Sequence, residues 1–393
     1  MSKKLLTNVA LLIISLAISV AAAEVLLRGY AKMQRRYTPK TAQNRAEGWI
    51  RERSQDAFDR EGEFYGKWQT FAKMRYSAYL GYWPASNIEG SGYRTNNLGF
   101  RNDADIADKK ADDEVRVFMV GGSTAWGAGV RQEDTYAVIL QDILQKALPN
   151  KRVSVWIAAV GAYLSTHERI VTVNKLARLE PDAIVQMSGW NDTYAGYRGF
   201  SVMDDRWDYT SSAAVLARFH RLFVYDEDNA RMMDPGPPTR KDHSLALFYF
   251  ADQLYYAQRL KNARRPHQAV VDDLLTNVRI AKAAIPPEVP YVFALQPTIY
   301  ATSKTLSEWE TQLREKNEAA TPAYGAYNAA VYSLYRAQLE EKLTSLKVDF
   351  IDLDPAIADE ARSVFTDHVH LGDRGNRMLA ERLAQRLQAK LTP

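Results

Sequence analysis

Short apolar runs separated by helix-length segments dominate the chain from about residue 111 to its end. Five of them are rich in Val and Ile and lack strict polar alternation: Val115–Val120, Val153–Val160, Ala183–Met187, Tyr291–Leu295 and Val348–Leu353. Continuous runs of this length are typical of strands covered on both faces. Because the runs alternate with helical stretches, they predict an α/β fold in which a parallel five-stranded sheet lies between two helical layers.

The last helix has the clearest pattern. Asp373 is placed to cap its start, and apolar residues follow at helical spacing. These residues are Met378, Leu379, Leu383, Leu387 and Leu391. By contrast, the segment at about 195–285 is too long for a strand-to-strand connection, contains a Pro/Gly break at 234–238 and has an aromatic helix candidate around Leu245–Leu260. We expect it to be a helical insertion beside the site.

The N-terminus is a candidate membrane segment. Residues 5–23 carry no charge, and this length is close to the ~20 residues that a helix needs to cross a bilayer. A retained anchor, a signal peptide cleaved after Ala23 and a buried helix are the three alternatives, and the anchor is favoured because Val25 and the two leucines after it continue the apolar face. The pattern therefore divides the chain into an anchor or signal segment (1–27), an N-terminal extension (28–110) and an α/β domain (111–393).

Charge distribution and cysteine content exclude several classes of function. Residues 1–40 hold seven Lys or Arg and one Glu, whereas the other 353 residues carry 44 basic and 46 acidic side chains. Without a basic footprint on the folded body, nucleic-acid binding is not expected. The chain has no cysteine, which excludes disulfides, thiolate nucleophiles and zinc–cysteine sites.

A serine stands where a ligand crevice is expected. The run Val115–Val120 ends in Gly121-Gly122, and Ser123 follows at the start of the next predicted helix. Open α/β sheets bind ligands at the carboxyl ends of their strands, and a helix N-terminus there favours developing negative charge. Ser123 is therefore a candidate nucleophile, with a simple helix cap after a glycine turn as the alternative. The glycines do not match a dinucleotide- or phosphate-binding spacing.

A candidate base and its partner lie near the C-terminus. Asp367 and His370 are three residues apart, just before the last helix, so that one turn of chain presents an imidazole beside a carboxylate. A serine nucleophile needs such a pair, because a base must remove its proton and a partner must fix the tautomer of that base. His368 is the rival base. Metal binding by the two histidines is the other alternative, but no further ligands cluster with them in the sequence.

Two more fragments follow predicted strands. Asn191, in Gly189-Trp190-Asn191-Asp192, is placed to direct its amide at the crevice, and Gly161 offers a backbone N–H at the end of another strand. Taken alone, Asn191 is equally well explained as part of an Asn-Asp turn, and Gly161 is better explained as a turn residue. Together with Ser123 they provide a nucleophile and two oxyanion donors.

These fragments resemble the four blocks of the SGNH/GDSL hydrolases. Ser123 stands in the first block, Gly161 in the second and Asn191 in the third, and Asp367-His368-Val369-His370 matches the terminal D-x-x-H block. The segment Asn97–Arg101, with the N-terminal apolar helix, is similar to membrane-anchored bacterial members. Gly122 replaces the aspartate of the namesake motif, and the asparagine often found before the second-block glycine is missing.

The resemblance implies a flavodoxin-like αβα fold and a serine esterase. The implied triad is Ser123, His370 and Asp367, and the oxyanion hole consists of Ser123, Gly161 and Asn191. The expected substrate is an acylated glycan or another ester of the cell envelope, with the catalytic domain held in the periplasm by a single inner-membrane helix. One alternative is an O-acyltransferase that works with a membrane acyltransferase partner, and another is a non-catalytic binding module. We expect no cofactor and no metal.

Overall fold

The computed structural model describes residues 3–37, 55–59, 73–77, 79–90, 92–203, 264–321 and 323–391. Its helices and strands are, in chain order, α1 (Lys3–Tyr37), β1 (Met74–Ser77), β2 (Gly81–Pro84), β3 (Glu89–Gly90), β4 (Tyr93–Arg94), β5 (Glu114–Gly121), α2 (Ser123–Trp126), α3 (Tyr136–Ala147), β6 (Arg152–Ile157), α4 (Ser165–Val171), β7 (Ala183–Ser188), α5 (Trp190–Tyr197), α6 (His267–Ala283), β8 (Tyr291–Leu295), α7 (Glu308–Ala320), α8 (Tyr324–Ser345), β9 (Asp349–Asp352) and α9 (Asp373–Leu391).

The central sheet is parallel and has the strand order β6-β5-β7-β8-β9. In β5, Met119 pairs with Ile157 of β6 on one side and with Val185 of β7 on the other. The five predicted runs are therefore the five strands of one sheet, and the expected parallel α/β architecture is confirmed. The order reverses at β5, and at such a switch point the carboxyl ends of neighbouring strands form a crevice.

Helices cover both faces of the sheet. All eight residues of β5 are buried. The chain crosses from β5 to β6 in one direction along the sheet, and from β6 to β7, β8 and β9 in the opposite direction. Because such connections are right-handed, the helices of the first crossover and those of the later crossovers lie on opposite faces of the sheet. On one face α3 packs against α9, and on the other α6 packs against α4 and α8. The result is the three-layer arrangement that the sequence predicts.

The described residues of the N-terminal extension from β1 onward contribute to the same core. The pairs β1–β2 and β3–β4 are antiparallel. Trp83 of β2 and Phe100 are buried together, with ring centroids 6.0 Å apart, and Phe100 lies 6.2 Å from Phe118 of β5. This extension is therefore packed directly onto β5.

Two regions of the sequence prediction need comment. Most of the predicted insertion at 195–285, including the helix candidate at Leu245–Leu260, lies outside the described residues. Its last part forms α6, which packs on the sheet layer. Judged on the side chains that the structure describes, no helix is both long and apolar enough to span a membrane.

Gly189, between β7 and α5, occupies a backbone conformation that only glycine adopts readily. Its φ is +121°, and a Cβ there would lie 2.7 Å from Cδ1 of the buried Leu295. We expect Gly189→Ala to lower the free energy of unfolding by about 2 kcal/mol or more, measured by urea denaturation, because both backbone strain and a clash arise.

Gly29→Ala is the matched control, since Gly29 lies within α1 and a Cβ there meets no atom within 4 Å. This variant should unfold like the wild type. Equal stability of the Gly189 variant would show that the turn between β7 and α5 tolerates a side chain.

Candidate active site

Two glycines allow the turn that presents Ser123. After β5, a Cβ at Gly121 would lie 2.3 Å from the main-chain oxygen of Met187, and one at Gly122 would lie 2.4 Å from Nδ2 of Asn191. No larger residue fits without movement, because β7 and α5 approach the turn so closely. Gly122 stands where the namesake motif has aspartate, and its lack of a side chain lets Asn191 lie against the nucleophile turn.

Ser123 is the first residue of α2, a single helical turn. Its hydroxyl lies 2.7 Å from Nε2 of His370, although the two residues are 247 positions apart in the chain. His370 is almost fully buried, with 3% of its side chain exposed. The structure thus brings together the predicted nucleophile and the predicted base.

Asp367 completes this arrangement. Nδ1 of His370 lies 2.9 and 2.8 Å from the two carboxylate oxygens of Asp367. Oδ1 also accepts the backbone N–H groups of Val369 and His370, each at 2.9 Å, so the carboxylate is fixed within its own turn. With the Nδ1 proton donated to Asp367, Nε2 is left as the acceptor that faces the Ser123 hydroxyl.

The loop that carries Asp367 and His370 is held by a buried carboxylate. Oε1 of Glu310 accepts the backbone N–H groups of Val364 and Phe365 at 2.8 and 3.1 Å, and its Oε2 pairs with Lys304 at 2.7 Å. Both charged side chains are fully buried. Glu310 was missed in the sequence analysis, although the signal exists: Ser307 and Glu310 form a capping box at the start of α7.

His368, the rival base, has a different environment. Its ring stacks on Trp190 with centroids 4.6 Å apart, and its main-chain oxygen accepts the N–H of Ile299. The contact with Ser123 is made by His370. Among the described residues, no three His, Asp or Glu side chains are grouped as metal ligands.

Asn191 and Gly161 lie at the same edge of the sheet. Nδ2 of Asn191 donates to the main-chain oxygen of Tyr163 at 2.8 Å and lies against Gly122. An amide nitrogen has two protons, so a second N–H remains for a ligand. Gly161 follows β6 in the turn from Val160 to Tyr163, and its carbonyl accepts the Tyr82 hydroxyl at 2.8 Å. Its role as an oxyanion donor stays a prediction.

A buried polar network lies behind these turns and was not predicted. Asp192, next to Asn191, accepts the backbone N–H of Ser165 at 3.0 Å and the hydroxyl of the same serine. Glu168 accepts Gln186 at 2.7 Å and Ser188 at 3.0 Å. Burial raises the pKa of Asp192 to about 6 and raises that of Glu168 as well. The network joins α4 to β7 and α5.

Several solved structures are similar to this chain. They include a carbohydrate acetylesterase from Sinorhizobium meliloti (14% identity, 70% of this chain and 99% of that one, TM-score 0.37) and a member of the lipolytic G-D-S-L family from Veillonella parvula (13%, 69% and 97%, 0.38). An acetylxylan esterase from Geobacillus stearothermophilus is a third (12%, 70% and 94%, 0.35). No family model and no curated protein matches the chain. The geometry of the site therefore carries the functional assignment.

The buried carboxyl of Asp192 should make stability depend on pH. Its folded-state pKa of about 6 lies above the ordinary value of 3.8, so the folded protein keeps a proton that the unfolded chain loses. This contribution to stability is present at low pH and is lost as the pH rises from about 4 to about 6. We therefore expect Asp192→Asn to gain stability relative to the wild type across this window, measured by urea unfolding at several pH values.

Asp272→Asn, at an exposed position on α6, is the control, and its difference from the wild type should not vary in this way. A pH-independent difference for Asp192→Asn would contradict the prediction.

Proposed function

We propose that the protein is a serine ester hydrolase whose catalytic residues are Ser123, His370 and Asp367. One observation carries this proposal: Nε2 of His370 lies 2.7 Å from the Ser123 hydroxyl while Nδ1 faces the Asp367 carboxylate. A serine hydroxyl becomes a nucleophile only when a positioned base takes its proton. The near-complete burial of His370 supports the same role, because water then competes little for Nε2.

The reaction proceeds by acyl transfer in two steps. Ser123 Oγ attacks the carbonyl carbon of the ester while its proton passes to Nε2 of His370, and the tetrahedral intermediate then expels the alcohol, which takes that proton. In the second step water gives a proton to His370 and attacks the acyl-enzyme, and the acid leaves as Ser123 regains its proton. The Asp367 carboxylate stabilises the imidazolium in both steps.

The developing oxyanion needs donors at this edge of the sheet. We assign this role to the backbone N–H groups of Ser123 and Gly161 and to the free amide N–H of Asn191. Loss of one such donor typically costs about 3 kcal/mol in the barrier, roughly two decades in rate. The position of Ser123 at the start of α2 and the contact of Asn191 with Gly122 support the assignment.

For the substrate, we propose a small acyl ester, such as an acetyl group, on a glycan or another component of the cell envelope. Aromatic rings beside the site support this choice: Trp190 stacks with His368, and Tyr194 is 40% exposed one helical turn after Asn191. Ligand sites are commonly lined by aromatic side chains with few polar groups.

Substitution of the triad is the direct test. We expect Ser123→Ala and His370→Gln each to lower kcat for p-nitrophenyl acetate by about 10⁴-fold or more, because the nucleophile or its base is removed. The wild type should be labelled by a fluorophosphonate at Ser123, as located by peptide mass spectrometry.

His368→Gln is the matched control, since it removes an imidazole two residues away that stacks on Trp190. This variant should keep most of its turnover. Full activity of Ser123→Ala would exclude the proposed nucleophile.

We further propose that α1 holds the protein in a membrane, with the catalytic domain outside the cytoplasm. Large apolar side chains of α1 are exposed, which suits contact with lipid. They are Leu11, Leu12, Ile14, Leu16, Ile18, Val25 and Leu26, with exposed fractions from 55% to 73%. The basic residues that flank this stretch occur on both sides, so charge alone does not orient it.

Cell fractionation tests the anchor. The full chain expressed in bacteria should sediment with the inner membrane and resist extraction by high salt but not by detergent, because apolar burial is insensitive to screening. Mass spectrometry of the mature N-terminus should find residues 1–27 intact. Recovery of a soluble chain that begins at Glu24 would instead establish a cleaved signal peptide.

A further inference from the structure

Arg101 is a fully buried cation in the segment before the sheet. Its Nη1 donates to the main-chain oxygens of Trp126 and Gly127 at 2.8 and 2.7 Å, and its Nη2 donates to those of Gly92 and Val130 at 2.9 and 2.8 Å. Its Nε donates to the side-chain oxygen of Gln132 at 3.1 Å. Arg101 forms no ion pair within the described part of the chain, so its partners are almost entirely main-chain carbonyls.

The carbonyls that Arg101 binds belong to the turn that presents the nucleophile. Trp126 and Gly127 end α2, and Ser123 begins it. A helix of one turn is not stable by itself, and its last carbonyls have no partner within the helix. Gly127 leaves the helix at a φ of +81°. The guanidinium therefore supplies the hydrogen bonds that fix the far end of the turn on which Ser123 sits.

A second part of the same N-terminal extension holds the turn after the base. The backbone N–H of Asp59 donates to Oδ1 of Asp373 at 2.9 Å, and Nε of Arg374 donates to Oδ1 of Asp59 at 2.8 Å. The contact is too tight for a side chain, since a Cβ at Gly372 would lie 2.1 Å from the main-chain oxygen of Ala57. Gly372 is two residues beyond His370. Residues 55–59 are called the strap below.

The third catalytic turn is also bound by this extension. Tyr82 of β2 donates its hydroxyl to the main-chain oxygen of Gly161 at 2.8 Å, and Tyr163 donates its hydroxyl to the main-chain oxygen of Tyr82. Both tyrosines are buried. Three turns with a proposed catalytic role are thus each bound by a different part of the N-terminal extension. Arg101 binds the turn after β5, Tyr82 binds the turn after β6, and the strap binds the turn before α9.

We propose that the N-terminal extension positions the active site, and that Arg101 is a positioning residue that sets the place of Ser123 relative to His370. The inference rests on the proposed function, because it names what keeps that site assembled. Arg101 acts through α2 and touches no reacting atom. Its planar fork binds four carbonyls and one amide at once, which the single ammonium of a lysine does not reproduce.

Arg116 provides a matched control. It is also a fully buried arginine, and it lies on β5, near the end of the strand opposite to Ser123. It likewise donates to main-chain oxygens, those of Leu179 and Lys109, each at 3.0 Å. It differs from Arg101 in having an ion pair, since its Nε lies 3.0 Å from the buried carboxylate of Glu114. Arg101→Lys and Arg116→Lys therefore make the same chemical change at similar depth, near to and far from the site.

We expect Arg101→Lys to lower kcat for p-nitrophenyl acetate by about 10- to 100-fold with KM little changed, because small displacements of a nucleophile cost rate. The rate of fluorophosphonate labelling of Ser123 should fall in parallel. Arg116→Lys should lower Tm by a similar amount and keep kcat within about threefold of the wild type. If kcat follows Tm equally in both variants, Arg101 is a structural residue only and the proposal is overturned.

A second readout does not need turnover. Peptide-level hydrogen exchange should show faster exchange over residues 122–130 in Arg101→Lys than in Arg116→Lys or the wild type. If the wild type is inactive and is not labelled by the fluorophosphonate, but the variants show this difference in exchange, the proposed function is wrong and the positioning role of Arg101 stands. If the wild type is labelled normally and the variants do not differ in exchange, the proposed function stands and the positioning role is wrong. If Arg101→Lys does not fold, Gln132→Ala replaces it, because it removes the side-chain acceptor of Arg101 Nε, and kcat should again fall, by less than in Arg101→Lys.

Discussion

The hydrogen bond between Ser123 and His370 is the contact on which the rest of the site depends. It joins the turn after β5 to the turn before α9, so it forms only when these two distant parts of the chain are assembled in one domain. Neither partner is placed by its own local sequence alone. Ser123 needs the close approach of β7 that two glycines permit, and His370 needs a loop whose backbone is bound by a buried carboxylate. The contact between Ser123 and His370 therefore depends on the correct assembly of the domain.

Much of this arrangement follows from patterns that a sequence carries. Apolar runs such as Tyr291–Leu295 give strands with the expected bounds, because burial on both faces favours apolar residues along the whole strand. The spacing of Asp367 and His370 predicts a carboxylate beside an imidazole within one turn. In the structure, Nδ1 of His370 lies 2.8 Å from Oδ2 of Asp367. The run Val153–Val160 is an exception. Its strand ends at Ile157, although the N–H groups of Ala158 and Val160 still donate to main-chain oxygens of β5 before the turn that contains Gly161.

The remaining parts depend on contacts between distant segments, which no local pattern encodes. Arg101 reads as one charged residue in a polar stretch, and only the fold shows that it is surrounded by main-chain oxygens. Asp192 and Glu168 likewise read as ordinary helix residues, although burial raises the pKa of both. Whether Gly161 donates to an oxyanion depends on the orientation of one peptide group. The residues at 204–263 lie outside the described chain, so the insertion predicted there remains a prediction.

Some of the buried charged groups lie beside the turns that carry the site, whereas others, such as Arg116, lie far from it. The Lys304–Glu310 pair binds the loop that carries His370, and the guanidinium of Arg101 binds the turn that begins with Ser123. Burying such groups is costly unless every donor and acceptor finds a partner, and their contribution is specificity of geometry more than net stability. Apolar packing alone would leave neighbouring turns free to slide by fractions of an ångström.

The strap at 55–59 also limits how the polypeptide can be shortened. It lies beyond α1 and well before the first strand of the sheet, yet it fills the space beside Gly372. A release of the enzyme from its apolar N-terminal helix, by protease or by design, is therefore compatible with an intact site only when the cut falls upstream of residue 55. A cut between the strap and β1 would separate from the sheet the residues that contact Gly372, two positions beyond His370.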